Sequence, residues 1–338
     1  MKRMLECRCS DLVSMTRDEL LYAMAASEGR TLACETVGTL QPMLGDITNA
    51  EFVAAMGADL ILLNIFEIAK YKAVVVYSNP PILPWIASWA KVLFGTKLIF
   101  VSYDLYPEVA TVTNTLRDGN MICRLMNHIN KCVYRRADHV VSLGSEQRAY
   151  ILNHREITED KVTVIPNWYK DEGELSRNRE DNRFRETVGD RFVVSYFGNM
   201  GTMQDMKTIL GAIRELKDDD KVFFLFAGHG NKMEKLKKIV EDEGIGNIAI
   251  HSFLHGQDFR DALAISDCAF VSLEKGATGL CVPSKTYSYM MQGIPLLAVM
   301  DEGDIVSDIK AGAGKWVRND EAEALEGLAT LIDTGFTE

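Results

Sequence analysis

Nine short apolar runs separated by segments of helical period constrain this chain more than any other feature. The runs are Ala73–Tyr77, Lys97–Ser102, His139–Leu143, Val162–Pro166, Phe192–Phe197, Val222–Ala227, Ile248–Phe253, Cys268–Ser272 and Pro295–Val299. They are rich in β-branched or aromatic residues and bounded by Gly, Pro, Asn or Asp, as strands are. Helical segments of about 10–15 residues lie between most of them, the pattern of parallel βαβ units. Their unbroken apolarity predicts sheets covered on both faces. A length of 338 residues favours two domains over one.

A charged stretch nearly free of aliphatic residues, "DEGELSRNREDNRFRETVGD" at 171–190, interrupts the series and reads as a linker leading into a short helix. The expected division is an atypical β/α segment over 1–67, the rest of a first Rossmann-like domain over 68–170, the linker over 171–190, and a second Rossmann-like domain over 191–338. In the first segment, "TRDELLYAMAASEGR" reads as a helix and "TLACETV" as a strand. A helix capped at Thr48 or Asn49 and a further strand follow.

Composition excludes several function classes. A net charge of −11 opposes general nucleic-acid binding, which needs a basic surface to neutralise phosphates. The seven cysteines are scattered without paired C-x-x-C motifs, so reduced thiols in a cytosolic protein are expected and a zinc site is not. The six histidines show no ligand spacing, and Asp218–Asp220 reads as a solvated turn. Met1–Ser10 has no secretory apolar segment, and no apolar run approaches the ~20 residues that span a bilayer, so membrane contact would be peripheral.

Three strands end in glycine-bearing turns. After Phe197 come Gly198, Asn199, Met200 and Gly201, with Asp205 or Thr202 placed to cap the next helix. Gly228-His229-Gly230 follows the strand Val222–Ala227, and Gly279–Lys285 precedes a short helix stopped by Gly293 and Pro295. Ligands in open α/β sheets bind outside the carboxyl ends of strands. Unpaired backbone N–H groups at a helix start attract anions. Lys285, a cation at a helix start, opposes the helix dipole unless a bound diphosphate reverses the sign. A lysine pointing into solvent is the bland alternative. Asp104 and Glu108 lie just beyond the strand Lys97–Ser102. There a carboxylate could orient an acceptor hydroxyl or act as general base, or merely cap a helix or pair with a cation. Asn167 and Trp168 sit at the domain junction and read as hinge packing or ligand contacts. The segment 117–136 reads as a helix mixing apolar residues with Arg124, Lys131, Arg135 and Arg136. It suits an anionic membrane surface and equally a core-packed helix with a solvated basic face.

From about residue 71 to 331 the chain resembles a family 4 retaining glycosyltransferase of the GT-B fold. The resemblance rests on "VVVYSNPP", "DLYPE", "RRADHVVSLGSEQRAYI", "KVTVIPNW", "YFGNMGTMQDMKTIL", "FAGHG", "ISDCAFVSL" and "VPSKTYSYMMQGIPLLA", in the family's order. It implies an α/β fold: a GT-B-like pair of doubly wound Rossmann-type domains, the N-terminal one atypical or incomplete. It also implies a nucleotide-diphosphate sugar donor. The donor-binding candidates are Gly198, Asn199, Gly201, Gly228, Leu254, Gly279, Val282, Ser284, Lys285 and Ser288, and Asp104 and Glu108 are the catalytic candidates. Leu280 or a neighbour, and Ser288, stand where relatives often carry glutamates, and Asn199 and Gln204 where they carry Arg and Lys. Glutamate-based roles therefore do not transfer, and Lys285 is left as the main positive charge.

The resemblance implies no metal and no cofactor, because basic side chains and helix dipoles stabilise the leaving diphosphate. It further implies a lipid-linked or saccharide acceptor in bacterial surface-polysaccharide synthesis, and a cytoplasmic protein at the inner face of the cell membrane. Residues 1–67 resemble the start of an uncharacterised barrel family similar to phosphoenolpyruvate-mutase proteins, with about two of the eight units a barrel needs. The competing expectations are an inactive chimera that retains nucleotide binding and a sugar-nucleotide epimerase. A barrel lyase is a more distant one.

Overall fold

The computed structural model describes residues 16, 19, 22, 23, 26, 33–37, 60–64, 72–78, 82–169 and 173–334. The chain divides into two compact units, Met1–Val74 with Val92–Thr96, and Val75–Lys91 with Lys97–Glu338.

In the first unit Thr16 and Glu19 form a reciprocal cap. The Glu19 N–H donates to Thr16 Oγ1 at 3.3 Å and the Thr16 N–H donates to Glu19 Oε2 at 2.8 Å. Strands β1 (Ala33–Val37) and β2 (Leu60–Asn64) pair in parallel from Ala33↔Leu60 to Val37↔Asn64. Both strands were expected; the Thr48 or Asn49 cap between them lies outside the described residues.

Two further sheets are drawn from the second unit, apart from Ala73 and Val74 at the start of β3. One has the order β3-β4-β5-β6, from Ala73–Tyr77, Lys97–Ser102, His139–Ser142 and Val162–Val164. The other has the order β12-β11-β10-β7-β8-β9, from Gly314–Val317, Leu296–Val299, Cys268–Ser272, Phe192–Asn199, Val222–His229 and Ile248–His251. Its strands are parallel throughout. Chain order reverses between β7 and β10, which places a topological switch point, and hence a ligand crevice, at the carboxyl end of β7.

The apolar runs fold as their pattern predicts. Every residue of β10 and β11 is buried, as is β8 up to Gly228, because helices cover both faces. Tyr196, Phe224, Phe226 and Phe270 fill the interior of the larger sheet, with Phe224 and Phe270 stacked at 6.5 Å. Each fully buried ring of this size stabilises the fold by roughly 1.5–3 kcal/mol.

Three features depart from expectation. β12 is an additional strand, "GKWV", too short and polar to show a period; it forms by pairing with β11 from Leu296↔Gly314 to Val299↔Val317. Gly198, Asn199 and Gly228 are not turn residues but the last paired positions of β7 and β8, in the register Gly198↔Gly228 and Asn199↔His229. The charged stretch docks on the larger sheet from Arg177 onward. Arg177 donates to the carbonyls of Ser266 and Gln292, and Arg179 pairs with Asp267 at 2.9 Å.

The Gly198↔Gly228 pairing is the tightest backbone approach at the switch point. A Cβ on Gly228 would lie 1.8 Å from the Gly198 carbonyl oxygen, whereas one on Gly244 meets nothing within 4 Å. Gly228→Ala is therefore expected to cost roughly 3 kcal/mol, from overpacking together with a positive φ. Gly244→Ala, which carries only the backbone term, should cost about 1 kcal/mol. Urea unfolding of both variants checks this; equal losses would contradict it.

Candidate functional site

A cavity of about 630 Å³ opens at the carboxyl ends of β7, β8 and β9. Gly198, Asn199, Leu254, Val282, Ser284, Lys285 and Ser288 line it. Of the other sequence candidates, Gly228 lies behind Gly198 in the sheet, Gly201 packs against the Asn199 side chain, and Gly279 borders a neighbouring cavity.

Lys285 begins the helix Lys285–Met291 and is half-buried. Its Nζ lies 3.6 Å from the centroid of the buried Tyr196 ring and donates to the Asn199 carbonyl at 3.3 Å. The Tyr196 hydroxyl donates to the same carbonyl at 3.0 Å, which fixes both partners of the lysine. Among the described residues no carboxylate pairs with Lys285. Burial brings its ammonium down to about 7. The ring face supplies part of what water would have supplied.

The glycine-bearing segment is less open to anions than its composition suggests. Asp205 caps the helix Met206–Glu215, accepting from the N–H groups of Lys207 at 3.1 Å and Thr208 at 3.0 Å. It also accepts from Thr208 Oγ1 and from Asn319 Nδ2. The Met200 N–H donates to the His229 carbonyl, and the Gly201 N–H to Gln204 Oε1. Lys232 pins this segment by donating to the carbonyls of Thr202 and Gln204 while pairing with Glu274 at 2.6 Å. The expected anion donors at this helix start are thus already bonded, and the positive charge of the cavity lining comes from Lys285 and Arg260.

The lining of the cavity is also aromatic. Trp168, Tyr169, Phe253, His255 and Phe259 line it, with Arg260. Phe253 has His229 at 5.6 Å and His255 at 4.6 Å, ring centroid to ring centroid. Sequence reading placed Trp168 at the domain junction but did not single out Phe253, Phe259 or Arg260.

A second cavity, of about 310 Å³, shares Val282 and Pro283 with the first. Glu146 and Asp304 face each other there, and the Ser145 N–H and hydroxyl donate to Asp304. Burial first, and then the neighbouring Asp304 carboxylate, raise Glu146. Burial also acts to raise Asp304, but the Ser145 donors outweigh it and lower that group.

The two acidic candidates part company. Glu108 is held by Arg155 at 2.7 Å, both largely buried, and does not line the large cavity. Asp104 borders a small pocket with Ser78, Tyr106, Asn130 and Tyr134. The next residue, Leu105, donates its N–H to the Leu280 carbonyl at 2.9 Å, tying this loop to the one that delivers Lys285.

Comparison with known proteins adds to this geometry. Residues 5–251 match the family described as Domain of unknown function (DUF7916), and residues 178–332 match Glycosyl transferases group 1. The Pseudomonas aeruginosa protein described as "Probable glycosyltransferase WbjE" is 30% identical over 261 residues, covering 76% of this chain and 64% of that protein. The chain thus spans less than two thirds of this relative. Anabaena Alr3699/HepE, solved in complex with UDP, superposes with a TM-score of 0.61 at 14% identity over 87% of this chain and 74% of that one. WaaG, a glycosyltransferase involved in lipopolysaccharide biosynthesis, superposes at 0.56 and 14% identity over 74% of this chain and 72% of its own. The fold is accordingly α/β of the GT-B type, with Rossmann-like sheets.

The depressed lysine has a measurable signature. Its folded value of about 7 lies below the ordinary 10.5, so the unfolded chain binds more protons between these values. Stability contributed at this site is therefore lowest below pH 7 and rises with pH up to about 10. Relative to Lys285→Met, the wild-type protein is expected to gain unfolding free energy across that window. A pH-independent difference in urea midpoint would contradict it.

Proposed function

We propose that this chain, which belongs to the DUF7916 domain family, is a glycosyltransferase that takes its sugar from a nucleotide-diphosphate donor. The observation that carries the reading is the Lys285 ammonium, without a carboxylate partner among the described residues, in a cavity also lined by aromatic rings, within the segment that matches Glycosyl transferases group 1. The complex of HepE with UDP supports it as the behaviour of a protein of like fold.

In this reading Lys285, with the Gly198–Asn199 strand end and the Val282–Ser284 loop, holds the donor diphosphate, and Leu254 offers backbone groups to the base. The bond from the anomeric carbon to the diphosphate oxygen breaks, and its electron pair leaves on the diphosphate. The acceptor oxygen bonds to the same carbon. Retention, the stereochemistry of family 4, places attack on the departing group's face, so the acceptor proton passes to the leaving diphosphate oxygen. Lys285 stabilises that leaving charge. Asp104 orients the acceptor hydroxyl, and Glu108 serves the fold through Arg155. Ser288, inside the helix with its hydroxyl on the Lys285 carbonyl, sets the lysine's position.

The acceptor we propose is a lipid-linked or saccharide hydroxyl of bacterial surface-polysaccharide synthesis, as the description of WaaG suggests by analogy. The start of the helix Met121–Arg136 is the proposed peripheral contact with the inner face of the cell membrane. Met121, Ile122 and Leu125 are exposed there beside Arg124. Farther along, Lys131 and Arg135 are engaged by Glu156, and Arg136 lies over Trp89 at 4.3 Å. Among the described residues no helix is long and apolar enough to cross a membrane. We further propose that the N-terminal segment derives from a phosphoenolpyruvate-mutase-like barrel, without that activity.

Two experiments test the reading. Isothermal titration with UDP, GDP, ADP and their sugars should give binding to at least one, weakened roughly tenfold or more by Lys285→Met, as expected for loss of a charged hydrogen-bond donor. A folded sample silent to the whole panel would refute donor binding, and binding without transfer or donor hydrolysis would refute the activity. Co-sedimentation with phosphatidylglycerol vesicles should fall when Ile122→Asp and Leu125→Asp are combined. Unchanged sedimentation would remove the membrane contact.

A further inference from the structure

The proposed donor site leaves one conspicuous side chain without a task. Trp168 is 74% exposed, the most exposed aromatic among the described residues, yet it lines the large cavity. No described ring or cation stacks on it, although ring and cation contacts are common elsewhere in this chain. Exposing an indole to water forgoes the burial that a tryptophan ordinarily gains in a fold, so its retention at a cavity wall calls for an occupant. Phe253 lines the same cavity and is also exposed, at 47%. Its ring is flanked by His229 and His255 and so forms a braced platform. Lys285, which with Arg260 supplies the cations of the cavity lining, begins a short helix.

We propose that Trp168 is a base-stacking residue, closing with Phe253 on the planar base of the nucleoside diphosphate whose pyrophosphate Lys285 holds. The inference rests on the donor reading above and adds to it a residue outside the segment that matches Glycosyl transferases group 1. Two aromatic faces provide contact that every base can use, because each has a π-face; hydrogen bonds to its edge then decide which base is kept. The residue lies on the unpaired stretch that joins the two sheets of the second unit, after β6 and before β7. A bound base would therefore engage a segment covalently continuous with the acceptor-side sheet.

The test compares wild type, Trp168→Ala and Trp168→Phe in the full chain, titrated with UDP, GDP, ADP and inorganic pyrophosphate. Trp168→Ala should weaken the nucleotide that binds about tenfold and leave pyrophosphate affinity unchanged, and Trp168→Phe should retain most of the affinity. Nucleotide should quench the indole emission of the wild type, and that quench should vanish in Trp168→Phe, which keeps the other three of the four tryptophans. Nucleotide affinity within twofold of wild type in Trp168→Ala overturns the stacking role alone. An equal loss for pyrophosphate and nucleotide also overturns it, because it marks a disturbed site instead of a lost stack. A wild type that binds pyrophosphate but none of the nucleotides overturns the donor reading itself.

Discussion

The site depends on an ammonium group seated on an aromatic ring, with no carboxylate paired to it among the described residues. Lys285 stands 3.6 Å above Tyr196 and reaches a single backbone carbonyl, that of Asn199. A charge in such a place is costly in proportion to the water it has lost. The larger sheet supports it in two ways. Tyr196 is wholly buried and its hydroxyl is bonded to the same carbonyl, so the ring cannot tilt away. Tyr289, four residues along the helix that Lys285 begins, receives the Phe197 N–H at 2.6 Å and fastens that helix to β7. The close pairing of Gly198 with Gly228 then lets β7 and β8 end together beneath the lysine.

This arrangement also accounts for why the neighbouring helix start plays a smaller part than its sequence suggests. A helix N-terminus attracts anions through unpaired N–H groups, and Asp205 has already taken them. With that dipole occupied by a carboxylate of the chain itself, an incoming anion gains little from it. The contribution passes to side-chain cations of the cavity lining, of which Lys285 is seated on the Tyr196 ring.

Much of the fold was legible because each strand of the larger sheet but one is an unbroken apolar run with sharp borders. β12 was not, because "GKWV" owes its extension to pairing with β11, and a Cβ on Gly314 would lie 2.0 Å from the Leu296 carbonyl oxygen. Within the candidate site, Lys285 was legible as a cation that contradicts its helix dipole. The engagement of Glu108 by Arg155 was not, since the partners are 47 residues apart and nothing in either neighbourhood announces the other. Trp168 could be placed at a junction but not on a cavity wall, because an aromatic residue in an irregular segment carries no period. What the sequence lacks in each case is distance: which of several chemically suitable groups is already bonded elsewhere.

A lysine near 7 has a consequence for the proposed chemistry. Loss of water disfavours its charged form. A diphosphate raises its proton affinity, so binding draws a proton onto the lysine, and the positive charge is completed only when there is an anion to face it. As a glycosyl bond breaks, further negative charge collects on the departing diphosphate oxygen, and attraction to the ammonium grows along the same coordinate. An interaction that strengthens as the bond breaks lowers the barrier, whereas one of constant strength would only tighten the ground state. The desolvation that makes Lys285 a burden to the empty protein is therefore the property that suits it to a leaving group whose charge is still developing.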